Sequence, residues 1–212
     1  MFTLHNPLVV IDLEATAGQD GAGRQTNNCI IDLGAVYLDE TLEIRGTFES
    51  LVKPAEPVTP FITGLTGISP AMLEDQPGFA EVGPSFASWV QSLAGNLKKV
   101  RLAAWGNYFD IPLLRKNYYD AGLDFPFAGT AVDVKSLAFL WLSLSGRRTD
   151  KISLEFFAQH FGVEDVTWHR ALADARVTAR ALTGVWKDLQ GFFVPGKPGE
   201  PYRRVQVSTE DS

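Results

Sequence analysis

The stretch "VVIDLEATAG", residues 9–18, decides how this chain is read. Val9, Val10, Ile11 and Leu13 describe a strand heading into a core, yet the same strand carries Asp12 and Glu14. Side chains on a strand alternate faces, so residues two apart share one face. Asp12 and Glu14 therefore project together, while Ile11, Leu13 and Ala15 point to the other side. Two unpaired acids so close repel, and one pKa rises. A hard divalent cation removes the conflict, because carboxylate oxygens are the ligands that Mg²⁺ and Mn²⁺ favour. Taken alone, the D-x-E pair also fits an edge strand with one wet face.

Outward from this strand, residues 8–15, the chain alternates strand and helix patterns. "CIIDLGAVYL" (29–38) and "IRGTFESLVKP" (44–54) are strands joined by the short polar turn "DETLE", which predicts an antiparallel hairpin. The Gly- and Asn-containing stretch "AGQDGAGRQTNN" predicts a mobile loop. Residues 58–96 read as helix in pieces, with Ser69 and Pro70 as an N-cap and first-turn pair. "VRLAAWG" (100–106) is a fourth strand feeding the helix "DIPLLRKNYYDAG", which ends near Gly122. "VDVKSLAFLWLSL" reads as a further helix. "SLEFFAQHFG" has Ser153 at its N-cap and Gly162 just past its end, and His160 reads as a helix-end residue. "ALADARVTARALTGVWKDL" is the last helix. This order implies an α/β domain with a mixed sheet. It spans residues 1–190, and residues 191–212, rich in Pro, Gly and charge, form a strap or loose tail.

The bulk numbers set limits. A length of 212 residues suits one domain with a sizeable core, and 45% hydrophobic with 21% charged residues is an ordinary globular balance. The apolar run at the N-terminus meets Asp12 too early for a signal peptide, and no run approaches the ~20 residues that span a bilayer. The single cysteine, Cys29, cannot form an internal disulfide, so a cytoplasmic location without membrane association is expected. A net charge of −6 argues against a protein that coats nucleic acid nonspecifically. It still permits an enzyme gripping a few phosphates, above all if several acids belong to a cation site.

Two more acidic positions sit at element edges. Asp110 in "WGNYFDIPLL" falls just after the fourth strand, at a helix start, where the macrodipole favours an acid; alone it could be a capping residue. In "WHRALADARVTARAL", His169 precedes a helix and Asp174 lies in its opening turns. Ala171, Ala173 and Ala175 let that helix approach the sheet closely. Separately, His169 could be a capping or surface histidine and Asp174 a solvated helix position.

Together and in this order, the three sites resemble the DEDDh family of 3′-to-5′ exonucleases. "IDLEAT" is similar to the family's first motif, "NYFD" to its second, and the H-x-x-x-x-D of "HRALAD" to its third. "IIDLGAV", "FESLVKP", "LTGIS" and "SLEFFAQHFGV" also resemble family segments, so the likeness covers roughly residues 7–190. It implies an RNase H-like fold, a mixed five-stranded sheet flanked by helices. It further implies two divalent ions, Mg²⁺ or Mn²⁺, held by Asp12, Glu14, Asp110 and Asp174, with Asp12 bridging both. In such sites one ion activates a water and the other steadies the leaving 3′ oxygen, at ~3.5–4 Å separation. His169 would take the proton of the attacking water, as an imidazole titrating ordinarily near ~6.5 can. The products are a nucleoside 5′-monophosphate and a strand one unit shorter.

By the same resemblance Glu14 and Ala15 would meet the terminal sugar. Leu65 would wedge against the last bases, Phe109 would stack there, and Asn107 would add a polar contact. Leu65 also fits core packing. Wedging and stacking suit a single-stranded end of RNA or DNA. Where the family often has Thr-Thr-Gly after D-x-E, this chain has Thr16, Ala17 and Gly18, which alters the pocket wall but not the ligand set. "DLEAT" with "LTGIS" resembles the branch of histone-mRNA 3′ exonuclease-like and KapD-like proteins, several of which work on RNA, so RNA is favoured over DNA.

Basic residues cluster as Lys98, Lys99 and Arg101; as Arg115 and Lys116; and as Arg147, Arg148 and Lys151. Each fits solvated surface, and only the last, in "GRRTDK", is placed to guide a phosphate backbone at the cleft mouth. Replacing Arg147 and Arg148 by Ala should then raise KM with little change in kcat. Two other functions compete with the exonuclease reading. One is a proofreading partner of a DNA polymerase, tethered by the tail; the other is a retired site serving as a nucleic-acid-binding adaptor. Monomer and homodimer are both open.

Overall fold

The computed structural model describes residues 3–16, 28–146, 152–163 and 166–190, and the backbone of 193–194 and 203–204. The expectations for the loop after Thr16, for Arg147, Arg148 and Lys151, and for most of the tail therefore lie outside the described residues.

Five strands form one mixed sheet: β1 (Leu8–Ala15), β2 (Ile30–Leu38), β3 (Ile44–Leu51), β4 (Arg101–Ala104) and β5 (Ala131–Asp133), in the order β3-β2-β1-β4-β5. β1 to β3 pair antiparallel through the expected hairpin, whereas β4 and β5 run parallel to β1. The helices are α1 (Pro60–Thr66), α2 (Pro70–Leu73), α3 (Phe79–Ala94), α4 (Asp110–Asp120), α5 (Val134–Leu144), α6 (Leu154–His160) and α7 (Ala171–Gln190). Within the tail, β6 (Phe193–Val194) pairs antiparallel with β7 (Arg203–Arg204). No helix among the described residues is long and apolar enough to cross a membrane.

Strand alternation sorts the core into two layers. Val9, Ile11, Leu13 and Ala15 of β1 pack with Val82, Phe86 and Val90 of α3 and Ile111, Leu114 and Tyr118 of α4. Leu8 and Val10 face the opposite side, against Ala175, Ala179 and Leu182 of α7. Asp12 and Glu14 continue that second row, so the acids project toward α7 and not into the α3–α4 layer. β2 is buried along its whole length, the signature of a central strand covered on both faces.

One local reading changes, and the two expected serine caps differ. The segment "VDVKSLAFLWLSL" opens with strand rather than helix: β5 takes Ala131–Asp133, and Asp133 then caps α5 by accepting from the amides of Lys135 and Ser136. Three residues of strand fused to a helix carry too little period-2 pattern to stand out. Ser69 does occupy the N-cap of α2, but its side chain makes no capping hydrogen bond. Ser153 does cap, accepting from Phe156 N at 3.3 Å.

Candidate active site

The site grows from a break in strand pairing. β1 pairs with β4 only over Leu8–Val10 opposite Arg101–Ala103, after which β4 turns away at Gly106, a left-handed glycine with φ 85°. From Ile11 onward the β4-side edge of β1 is open. Sheets with a strand-order switch commonly leave a crevice at the carboxyl ends of the strands. Here the crevice holds Asp12 and Glu14 on β1 and receives Asp110 from the first turn of α4. The Asp110 carboxylate accepts the backbone N–H of Leu13 at 3.1 Å, pairing an amide that the ladder leaves free.

The opposite wall is the start of α7. Gly34 on β2 pairs across the sheet with Asp12. A Cβ on Gly34 would stand 2.1 Å from the Ala171 backbone carbon, so only glycine lets α7 come this close. That approach brings Asp174 over the β1 acids. Asp174 Oδ2 accepts the backbone N–H of His169 at 3.1 Å, while its Oδ1 is buried with no hydrogen-bond partner. His169 has φ 60°, a left-handed conformation costing on the order of 1–3 kcal/mol in a non-glycine residue, which persists only where neighbours over-determine it.

Ligand atoms of Glu14, His169 and Asp174 all lie within 4.8 Å of one another, so this trio could hold a metal ion. Asp12 and Asp110 stand beside the trio rather than in it. The electrostatics nevertheless bind all four acids together. Burial first, then the charges of Asp110, Asp174, Glu14 and Asp32, push the Asp12 carboxyl well above its usual range. Burial and the Asp174, Asp32 and Asp110 charges raise Glu14 to about 8. Burial raises Asp110 to about 7 against the opposing pull of the Leu13 amide, and raises Asp174 to about 6 against that of His169. Four carboxyls this unwilling to ionise together make a site that gains from a cation.

The other expected contacts divide. Leu65 is 43% exposed and Phe109 40% exposed, so neither is a core residue; the buried positions of α1 are Ile62 and Thr66. Asn107 is half-buried at the turn after β4. The Ala15 side chain is buried in the α3–α4 layer, which leaves only its backbone for a ligand. Phe61, one turn before Leu65, and Tyr108, beside Phe109, are more exposed still, and the motif reading passed over both. His160 is, as expected, a helix-end residue, stacked on Phe156.

Sequence reading also missed Asp32, fully buried on β2 and directly across from Glu14. Its Oδ2 accepts from Arg170 Nε at 3.0 Å and from the Ala171 amide at 3.3 Å, and Arg170 donates a further bond to Glu49 at 3.0 Å. The available signal was an acid inside the otherwise apolar "CIIDLGAV", the same anomaly that marks Asp12.

Residues 9–182 match the exonuclease family RNase_T. The chain is 30% identical over 189 residues to a DNA polymerase III of PolC type from Caldanaerobacter subterraneus subsp. tengcongensis, covering 89% of this chain and 12% of that protein. It is 29% identical over 176 residues to the 3′-5′ exonuclease DinG of Staphylococcus haemolyticus, covering 82% of this chain and 17% of the relative. The chain thus spans a small fraction of these relatives' length. The nuclease domain of 3′hExo, a DEDDh family member bound to rAMP, superposes with a TM-score of 0.71 at 23% identity, covering 86% of this chain and 92% of that one. The fold is therefore shared with a DEDDh nuclease, and by the match over residues 9–182 the chain belongs to the exonuclease family RNase_T.

Proposed function

We propose that this chain is a metal-dependent nuclease that trims single-stranded nucleic acid from the 3′ end, releasing nucleoside 5′-monophosphates. The observation that carries the reading is the convergence of Asp12, Glu14, Asp110 and Asp174, from β1, α4 and α7, on one crevice where burial raises all four carboxyls and neighbouring acids raise Asp12 and Glu14 further. The donors fit a hard divalent cation: they are carboxylate oxygens, and Asp174 presents a buried oxygen that nothing in the protein satisfies. Asp12, Glu14, Asp110 and Asp174 are the residues that would hold Mg²⁺ or Mn²⁺. Bound there, such ions supply charge neutralisation and Lewis-acid polarisation of a phosphate oxygen.

The chain's own residues supply the rest. His169 is exposed at the crevice beside Glu14 and Asp174, where its imidazole takes a proton from the attacking water. The water oxygen forms the new bond to phosphorus, and the bond from phosphorus to the neighbouring nucleotide's 3′ oxygen breaks. That oxygen gains a proton from solvent and becomes the new strand end. Leu65 and Phe109, too exposed to serve the core, offer apolar surface to unstacked bases, which a duplex does not present.

The PolC-type relative favours DNA as the strand trimmed, and with it a proofreading role. RNA is the second reading, favoured by the "DLEAT" and "LTGIS" likeness to the histone-mRNA branch. The test uses a 5′-labelled single strand, as DNA and as RNA, incubated with Mg²⁺ or Mn²⁺ and then EDTA. The reading expects a ladder shortening from the 3′ end, arrested by EDTA, with the faster initial rate on DNA. A faster rate on RNA reverses the choice of strand. No ladder in metal leaves the adaptor reading instead.

A further inference from the structure

Beside the four acids, a second set of charges faces the crevice without belonging to it. Asp32 is completely buried on β2, across the sheet from Glu14. Its carboxylate receives Arg170 Nε and the Ala171 amide on Oδ2, while Oδ1 has no hydrogen-bond partner among the described residues. Arg170 also reaches Glu49 on β3 with a second nitrogen, so one guanidinium bridges adjacent strands. A planar fork can span two carboxylates in fixed geometry; a lysine ammonium cannot hold both in the same way. Arg170 immediately follows His169, whose backbone is left-handed at φ 60° and persists only where neighbours hold it. One support is Asp174 Oδ2 on the His169 amide. The other is this bridge, which grips the next residue and the first amide of α7.

We propose that Asp32 and Arg170 are positioning residues, holding the turn that presents His169 to the crevice. The inference rests on the reading of His169 as the proton acceptor. Neither side chain need touch substrate. Arg170 also supplies the charge that offsets Asp32, and a buried pair broken on one side leaves an uncompensated charge. Here that charge would stand next to Glu14. The two residues should thus behave as a unit, with effects that do not add.

The test compares Asp32→Asn, Arg170→Gln and the double variant with the parent protein. Each single variant should lower kcat roughly 10–100-fold, the range seen when partners that orient a site residue are removed. KM for a single-stranded oligonucleotide should stay within about twofold, and the double variant should be no worse than the worse single. Independently of activity, amide hydrogen exchange at His169 should accelerate while exchange in β1 stays unchanged. Arg170→Lys retains a charge against Asp32 and carries the test should the glutamine variant not fold. Wild-type kcat, unchanged exchange at His169, or protection lost equally across β1 overturns the proposal. If His169→Ala keeps full turnover, the proton-acceptor reading falls, and the exchange comparison alone then decides whether Asp32 and Arg170 hold this turn.

Discussion

The Asp110 carboxylate accepts the backbone N–H of Leu13 at 3.1 Å, although 97 positions separate the two residues. This bond closes the open edge of β1 and fixes an acid beside Asp12. It also sets structure against function, because the same carboxyl is raised to about 7 by burial. Asp110→Asn keeps an oxygen for the Leu13 amide and removes a charge from a crowded site. The metal-free variant should therefore melt at a higher temperature than the parent. Its turnover should fall on the order of 10³-fold, the loss of several kcal/mol of transition-state stabilisation. Paired melting and rate measurements check both halves.

The raised carboxyls give the metal-free fold a defined pH dependence. An unfolded carboxyl ionises near pH ~4. In the fold Asp174 does so at about 6, Asp110 at about 7 and Glu14 at about 8. Between those limits the folded chain keeps protons that the unfolded chain has released, so stability falls as pH rises. In EDTA the Tm should drop steadily from pH 5 to pH 8, by about 2–4 °C for each kcal/mol lost in a chain of this size. Mn²⁺ binds the ionised form, so it should raise Tm more at pH 8 than at pH 5. A Tm in EDTA that climbs over this range would contradict the assignment of the four acids to one site.

Gly34 lets the sheet and α7 approach closely. Gly34→Ala places a methyl against the Ala171 backbone, which has no flexible end to yield. The cost should be at least ~1–3 kcal/mol by calorimetric or denaturant melting, as for other overpacked cores. Activity should fall further than stability, since the displaced helix carries Asp174.

The exposed apolar pair should act on binding alone. Leu65→Ala and Phe109→Ala remove surface that the core does not use, so Tm should stay close to that of the parent. Each should raise KM for a single strand by about 5–150-fold, the equivalent of ~1–3 kcal/mol of stacking. Steady-state kinetics on an oligonucleotide long enough to fill the crevice separates the two effects.

How much of this was legible in the sequence follows from how local each signal is. Asp12, Asp110 and Asp174 interrupt apolar patterns at element edges, and the motifs supply their order, so both the fold and the acid set can be read in advance. Asp32 breaks the same kind of pattern, yet its role depends on register: only once Glu14 pairs with Asp32 does the acid on β2 stand at the site. Arg170 is equally silent, because its two carboxylate partners lie 138 and 121 positions away. Leu65 sits in a sequence that suits either core or surface, and the helix rotation that buries Ile62 decides between them. β5 escaped notice because three residues of strand run straight into a helix.

If the acids of the opening motif hold cations, the metal-free protein should bind them. Titration of Mn²⁺ into the metal-free protein, followed by electron paramagnetic resonance, tests it most directly alongside Asp12→Ala and His169→Ala. Saturable binding to the parent is expected, largely preserved in His169→Ala despite its lost turnover, and abolished in Asp12→Ala. Equal binding by the parent and Asp12→Ala, or no binding by the parent at all, would contradict it.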